Sequence, residues 1–213
     1  MPKSLLARTS SVALGCFLAA APLPLLAQAN TGAGISPGAS DPNWSVSWAG
    51  INSSLSSGSG QAVEVVAPPG AWVNTAPNSF WVSTNSSASL AGGAGDNVER
   101  YNYIWTGDFN STSTSPVQMT VWTDNFFHSF TFNGVTTTVD PVASPGDFNQ
   151  PAGRVFMLDP HAGGNTLAFS TTGDGQTDAI NVSFTSTPEP SSMALLGTGL
   201  IGLVPMIRRK RKI

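Results

Sequence analysis

Phe126-Phe127-His128-Ser129-Phe130-Thr131-Phe132-Asn133-Gly134-Val135-Thr136-Thr137-Thr138-Val139 is the stretch that decides the fold class. Asn-Gly between two runs of aromatic and β-branched residues is a strong hairpin signal. A two-residue type I′ turn needs positive φ at both central positions, and asparagine and glycine tolerate this best. Phe126, His128, Phe130 and Phe132 recur every second residue, which predicts one face of a strand.

The same period of two recurs on both sides of the hairpin. Trp44, Val46 and Trp48 alternate with Ser45 and Ser47, and Tyr101, Tyr103 and Trp105 alternate likewise, as do Val117, Met119 and Val121. Later runs are Val155 to Leu158, Leu167 to Phe169, and Ile180, Val182 and Phe184. Turn clusters lie between them: Pro68-Pro69-Gly70, the Gly-rich run 92–97, and Gly173-Asp174-Gly175. Between the two ends of the chain no stretch keeps a helical period for three turns. About eight to ten short strands at this spacing predict an all-β domain, a β-sandwich of the jelly-roll type, over residues 41–186. Residues 30–40 read as a linker.

The two ends read as targeting segments. Lys3 and Arg8 precede an apolar run from Val12 to Ala27, and Ala27-Gln28-Ala29 is an A-x-A cleavage site. Residues 1–29 are therefore expected to be a signal peptide, with the Sec translocon and signal peptidase as partners. Gly15-Cys16 ends a poor lipobox, because Ala13-Leu14 fits that pattern badly and the apolar run continues past it. Cys16 then falls inside the discarded segment. The remaining chain has no cysteine, hence neither a disulfide nor a thiol nucleophile.

At the other end, Pro188-Glu189-Pro190 is followed by Ser191-Ser192, an apolar segment 193–207 and a basic cluster 208–212. The prolines keep their neighbourhood out of any helix. The apolar segment predicts a single transmembrane helix about 22 Å long at 1.5 Å per residue, short of the roughly 30 Å hydrocarbon core. Ser191, Ser192 and snorkelling arginines extend it. The basic cluster predicts a cytoplasmic C-terminus. Gly197-Thr198-Gly199-Leu200-Ile201-Gly202 matches a dinucleotide fingerprint in letters only. That fingerprint needs a preceding strand, a following helix and an acidic residue about 20 positions on to hold the ribose, and the eleven residues after Gly202 include five basic ones and no acid.

This tripartite tail resembles the PEP-CTERM sorting signal. The resemblance implies recognition and processing by a membrane transpeptidase, an exosortase, near Pro188-Glu189-Pro190. It also implies a Gram-negative, exopolysaccharide-producing cell, with passage through the inner membrane to the cell surface or a biofilm matrix. Some ice-binding proteins carry such a tail, but ice-binding faces need a flat Thr-x-Thr array, and Thr136-Thr137-Thr138 stands isolated.

A second resemblance concerns the middle of the chain. Asp41-Pro42-Asn43-Trp44, Pro69-Gly70-Ala71-Trp72, Ser79-Phe80-Trp81-Val82, Asp124-Asn125, Asn133-Gly134 and Gly164-Asn165-Thr166-Leu167-Ala168-Phe169 stand in the order seen in jelly-roll ectodomains of PEP-CTERM proteins. These are similar to galactose-binding-like and carbohydrate-binding modules.

Charge narrows the function classes. Seven of the nine basic residues sit in the two ends, and residues 30–187 hold Arg100 and Arg154 against eleven carboxylates, with no lysine. Such a surface repels phosphate backbones, so no nucleic-acid partner is expected. Catalysis has little to work with, and the domain is read as non-enzymatic. His128 lies on an apolar strand face, His161 lies in a loop, and no His-x-His or His-Glu-x-x-His spacing accompanies either. No cofactor is required. The candidate metal is calcium, on Asp174 and Asp178 of the loop 173–178, set against a plain Asp-Gly turn.

Sugar stacking is the remaining chemistry. Trp44, Trp48 and Trp105 follow the apolar alternation and read as core. Trp122 falls on the face opposite Val117, Met119 and Val121, and Trp72 and Trp81 flank a Pro/Asn loop. Those three are expected to be exposed and to stack sugars. The reading is an exported adhesion or exopolysaccharide-associated module; the alternatives are a structural surface protein without a specific ligand, and ice binding.

Overall fold

A computed structural model describes residues 29–73, 76, 78–112, 114–124, 126–139 and 147–186. The segment 1–28, with Ala27, lies outside the described residues. So do Pro188, Glu189 and Pro190, the apolar segment 193–207 and the basic run 208–212.

Ten strands form in chain order: β1 Ser40–Gly50, β2 Ser57–Glu64, β3 Val82–Ser83, β4 Tyr101–Ser111, β5 Val117–Asp124, β6 Phe126–Phe132, β7 Val135–Thr138, β8 Arg154–Leu158, β9 Gly163–Gly173 and β10 Ala179–Ser186. Every regular element among the described residues is a strand, as the alternation predicts. The strands pair antiparallel in the order β7-β6-β9-β4-β1-β2-β3-β10-β5-β8. The hairpin turn has the expected geometry, with φ of 47° at Asn133 and 83° at Gly134, and Phe132 pairs with Val135.

The sheet curls over itself about the two-residue strand β3. Contacts between strands that are not neighbours in the sheet show this: Phe109 of β4 meets Phe184 of β10 at 5.2 Å, and Phe130 of β6 meets Phe156 of β8 at 4.7 Å. The two inner faces enclose one core, in which Trp44, Val46, Tyr103, Trp105 and Phe169 oppose Met119, Val121, Ile180 and Val182. Burying each large apolar side chain contributes about 1.5–3 kcal/mol, and this core is the main term holding the sheet closed.

Four local features depart from the expectation. A bulge between Phe127 and Ser129 shifts the β6/β9 register. Phe127 therefore joins Phe130 and Phe132 in the core, while Phe126 and His128 are half-buried. His128 Nε2 lies 2.8 Å from Thr172 Oγ1. Strand β2 has no apolar alternation in its Ser-Gly half; it pairs with β1, and Trp48 of β1 lies over Gly58, where a Cβ would come within 2.6 Å of the indole.

The third departure is the linker. Strand β3 pairs with β10 only at Ile180, and residues 29–32 complete the edge it leaves. Thr31 N–H donates to the Val182 carbonyl at 3.1 Å, and Phe80 N–H donates to the Thr31 carbonyl at 2.8 Å. Thr31 Oγ1 accepts from Val182 N–H at 2.9 Å and donates to the Phe80 carbonyl at 2.7 Å. Asn30 Oδ1 accepts from Phe184 N–H at 2.7 Å. Ala29 is buried, and its carbonyl accepts the Trp44 indole N–H at 2.9 Å. The start of the expected linker is thus part of the domain.

Fourth, a second apolar layer covers the outer face of β5 and β10. The excursion between β2 and β3, with the loop around Phe148, packs Val65, Trp72 and Trp81 against Trp122 and Ala179. This layer builds the site described next.

Candidate functional site

The excursion after β2 opens with Val65-Val66-Ala67-Pro68-Pro69-Gly70. Two consecutive prolines lack N–H donors and fix φ, so the chain leaves the sheet and turns. Trp72 N–H closes that turn on the Pro69 carbonyl at 2.9 Å. The Trp72 indole N–H reaches Asp124 Oδ2 on β5 at 2.7 Å, and the Trp81 indole N–H reaches the Val73 carbonyl at 3.1 Å. These bonds hold the two rings 4.5 Å apart, tilted by 35°.

Beside the pair lies a groove of about 410 Å³. Pro37, Pro68, Pro69 and Phe80 form its walls together with Val66, and Trp72 and Trp81 also line it. Phe80 is 38% exposed and Val66 is more so, which leaves an apolar rim open to a ligand.

Glu64, at the end of β2, is the acidic residue lining this groove. It is 4% exposed, and its Oε2 has no hydrogen-bond partner among the described residues. Burial pushes its pKa up, and the nearby Asp41 carboxylate pushes it further. Asp41 is also buried, but it accepts backbone N–H donors from Gly32 at 2.7 Å and Asn43 at 2.9 Å. Burial raises its pKa and these donors oppose the rise. One carboxylate of the pair is satisfied internally and the other is not. A buried unpaired polar atom costs about 1–3 kcal/mol, more when charged, so Glu64 is destabilising where it stands unless another group partners it.

The expectation of exposed tryptophans is corrected. Trp72, Trp81 and Trp122 are 8%, 1% and 3% exposed. Trp122 does lie on the face opposite Val121, but that face is covered: its indole donates to the Gln150 carbonyl at 2.8 Å, and a Cβ on Gly153 would come within 2.6 Å of its ring. Trp122 does not line the groove, whereas Trp72 and Trp81 do. Sequence reasoning missed Glu64, Phe80 and Pro37. The signal for Glu64 was a lone acid in the apolar run Ala62-Val63-Glu64-Val65-Val66.

Asp174 and Asp178 are both buried and close turns with the chain's own donors. Asp174 accepts from Asn97 N–H at 3.0 Å and Gln176 N–H at 2.9 Å; Asp178 accepts from Gly175 N–H at 2.7 Å and from the Tyr103 hydroxyl. Among the described residues no three His, Cys, Asp or Glu side chains converge on a metal position. Burial pushes the pKa of Asp178 up to about 7 and that of Asp124 up to about 7, with neighbouring carboxylates adding to both. His161 and Asp159 line a second groove of about 320 Å³ between β6-β7 and β8. Both are solvent-exposed, and the His161 backbone is tied to Asn165 at 2.8 and 2.9 Å.

Residues 186–212 match the family described as PEP-CTERM protein-sorting motif. Such a motif implies an exported, cell-surface-destined protein and processing by an exosortase-type system. A search of curated protein sequences returned no match. Among solved structures, a β-glucosidase from Kluyveromyces marxianus in complex with glucose is 10% identical at a TM-score of 0.42, covering 78% of this chain and 19% of that one. CBM35 from Paenibacillus barcinonensis is 20% identical at 0.34, over 59% and 89%. The GH31 α-xylosidase from Xanthomonas citri is 10% identical at 0.38, over 70% and 14%. This chain thus spans under a fifth of either enzyme's length. Likenesses of this strength assign neither a ligand nor an activity to it.

Proposed function

We propose that this is an exported surface or extracellular-matrix protein, passed through the inner membrane and sorted by its PEP-CTERM tail. Its all-β domain is a non-catalytic module that holds an exopolysaccharide or other glycan in the groove beside Trp72 and Trp81. The observation that carries the reading is the buried Glu64 Oε2, without a partner among the described residues, beside an open apolar rim. Sugars present hydroxyl donors and flat C–H faces together, and the groove offers an acceptor and ring surface together. The excess of carboxylates over arginines disfavours anionic polysaccharides. Sorting would then place a glycan-holding module among surface glycans.

The test is a glycan array probed with the full chain, run with and without added calcium. Glycan retention is expected, weakened by Phe80→Ala, which removes an exposed ring at the rim and leaves both cores in place. Each lost ring contact should cost about 0.5–1.5 kcal/mol, by analogy with aromatic pairs. No glycan retained under either condition would favour a structural surface protein without a specific ligand.

A further inference from the structure

The groove's charge goes further than its shape. Glu64 Oε2 is buried without a partner among the described residues, and the Asp41 carboxyl lies beside it. No cation among the described residues pairs with them. Arg100 pairs with Asp96, Arg154 pairs with Asp147, and the described chain holds no lysine. Burial and Asp41 both disfavour the ionised Glu64, and a sugar hydroxyl can satisfy a lone pair but does not offset that. An ammonium group satisfies the lone pair and the charge together, and charge-assisted hydrogen bonds are roughly twice as strong as neutral ones.

The walls point the same way. Phe80, Trp72 and Trp81 line the groove, and an aromatic face carries negative electrostatic potential that attracts cations. A carboxylate set among aromatic rings is therefore complementary to an organic cation. The surrounding acidic surface raises the local concentration of that cation and repels uronic or sulfated sugars.

We propose that the ligand of this groove is an amine-bearing glycan, one with free amino sugars, whose ammonium group pairs with Glu64 while its ring lies against Phe80. This rests on the glycan reading above and names its substrate class.

The experiment is calorimetric titration of the full chain with three oligosaccharides of equal length, made of glucosamine, N-acetylglucosamine and glucose, plus a lysine oligomer as a charge control. Glucosamine should bind about tenfold tighter than the acetylated and neutral oligomers, the scale of one charge-assisted bond. Glu64→Gln keeps the side-chain volume and removes the charge; it should erase that preference. Phe80→Ala should weaken all three sugars and leave glucosamine still the tightest, because Glu64 remains. Equal binding of the three sugars would overturn the amine assignment and leave the glycan reading in place. Binding of none would overturn both. A lysine oligomer that binds as well as glucosamine, and still does so in Glu64→Gln, would reduce the effect to general surface charge and overturn the proposal.

Discussion

Asp178→Asn should flatten the pH dependence of stability. Asp178 is buried beneath the 173–178 turn, and burial pushes its carboxyl from the ordinary 3.8 up to about 7. A folded-state pKa above the unfolded one means the fold favours the protonated form. Its contribution is complete below about pH 4 and is lost as pH rises through 7. Between pH 6 and pH 8 such a group gives up about 1.4 kcal/mol, one pKa unit's worth. For a domain of this size that is a fall of about 3–6 °C in Tm. Asp124, also raised to about 7, titrates alongside. Asparagine keeps an oxygen able to accept from Gly175 N–H and the Tyr103 hydroxyl but carries no titrating proton. Thermal melts followed by circular dichroism at pH 6, 7 and 8 should show wild-type Tm falling with pH, with Asp178→Asn falling less. A wild-type Tm that rises over this interval, or an identical decline in the variant, would refute the reasoning.

Two further variants probe the elements that frame the site. Gly153→Ala should destabilise by about 2 kcal/mol or more, because φ is +58° there and the new methyl would meet the Trp122 ring; chemical denaturation reads the loss, and an unchanged midpoint would contradict the packing. Thr31→Val keeps the shape but removes the hydroxyl that bridges Phe80 and Val182, so a loss of about 1–3 kcal/mol is expected by the same measurement. A neutral result would restore the linker reading of residues 30–32.

The strands that face the single core were legible because one buried face imposes alternation, as in Tyr101-Tyr103-Trp105 and Ile180-Val182-Phe184. The β6 bulge broke the inference locally, since an extra residue reverses the faces before it. Alternation also states that Trp122 points away from Val121; it does not state whether a second layer covers that side. Strand β2 escaped notice because Trp48 is accommodated by a glycine rather than by an apolar partner.

The site was legible in part. Trp72 and Trp81 were found through their tryptophan chemistry and the Pro/Asn loop they flank, and both line the groove. Glu64 was not found, because its meaning depends on a non-local fact. Asp41, 23 positions away in sequence, holds the backbone donors of Gly32 and Asn43, while Glu64 Oε2 has no partner among the described residues. The role of Asn30 and Thr31 is equally non-local, since it follows from the shortness of β3.

The most direct test of the groove as a glycan site is the tryptophan indole region of a ¹H–¹⁵N correlation spectrum, recorded while a glucosamine oligomer is added to the protein. The chain has six tryptophans, each with its own indole N–H signal. The signals of Trp72 and Trp81 should move in a saturable way, while those of Trp44 and Trp105, enclosed in the main core, stay in place. Six unmoved signals, or movement confined to tryptophans outside the groove, would contradict the account.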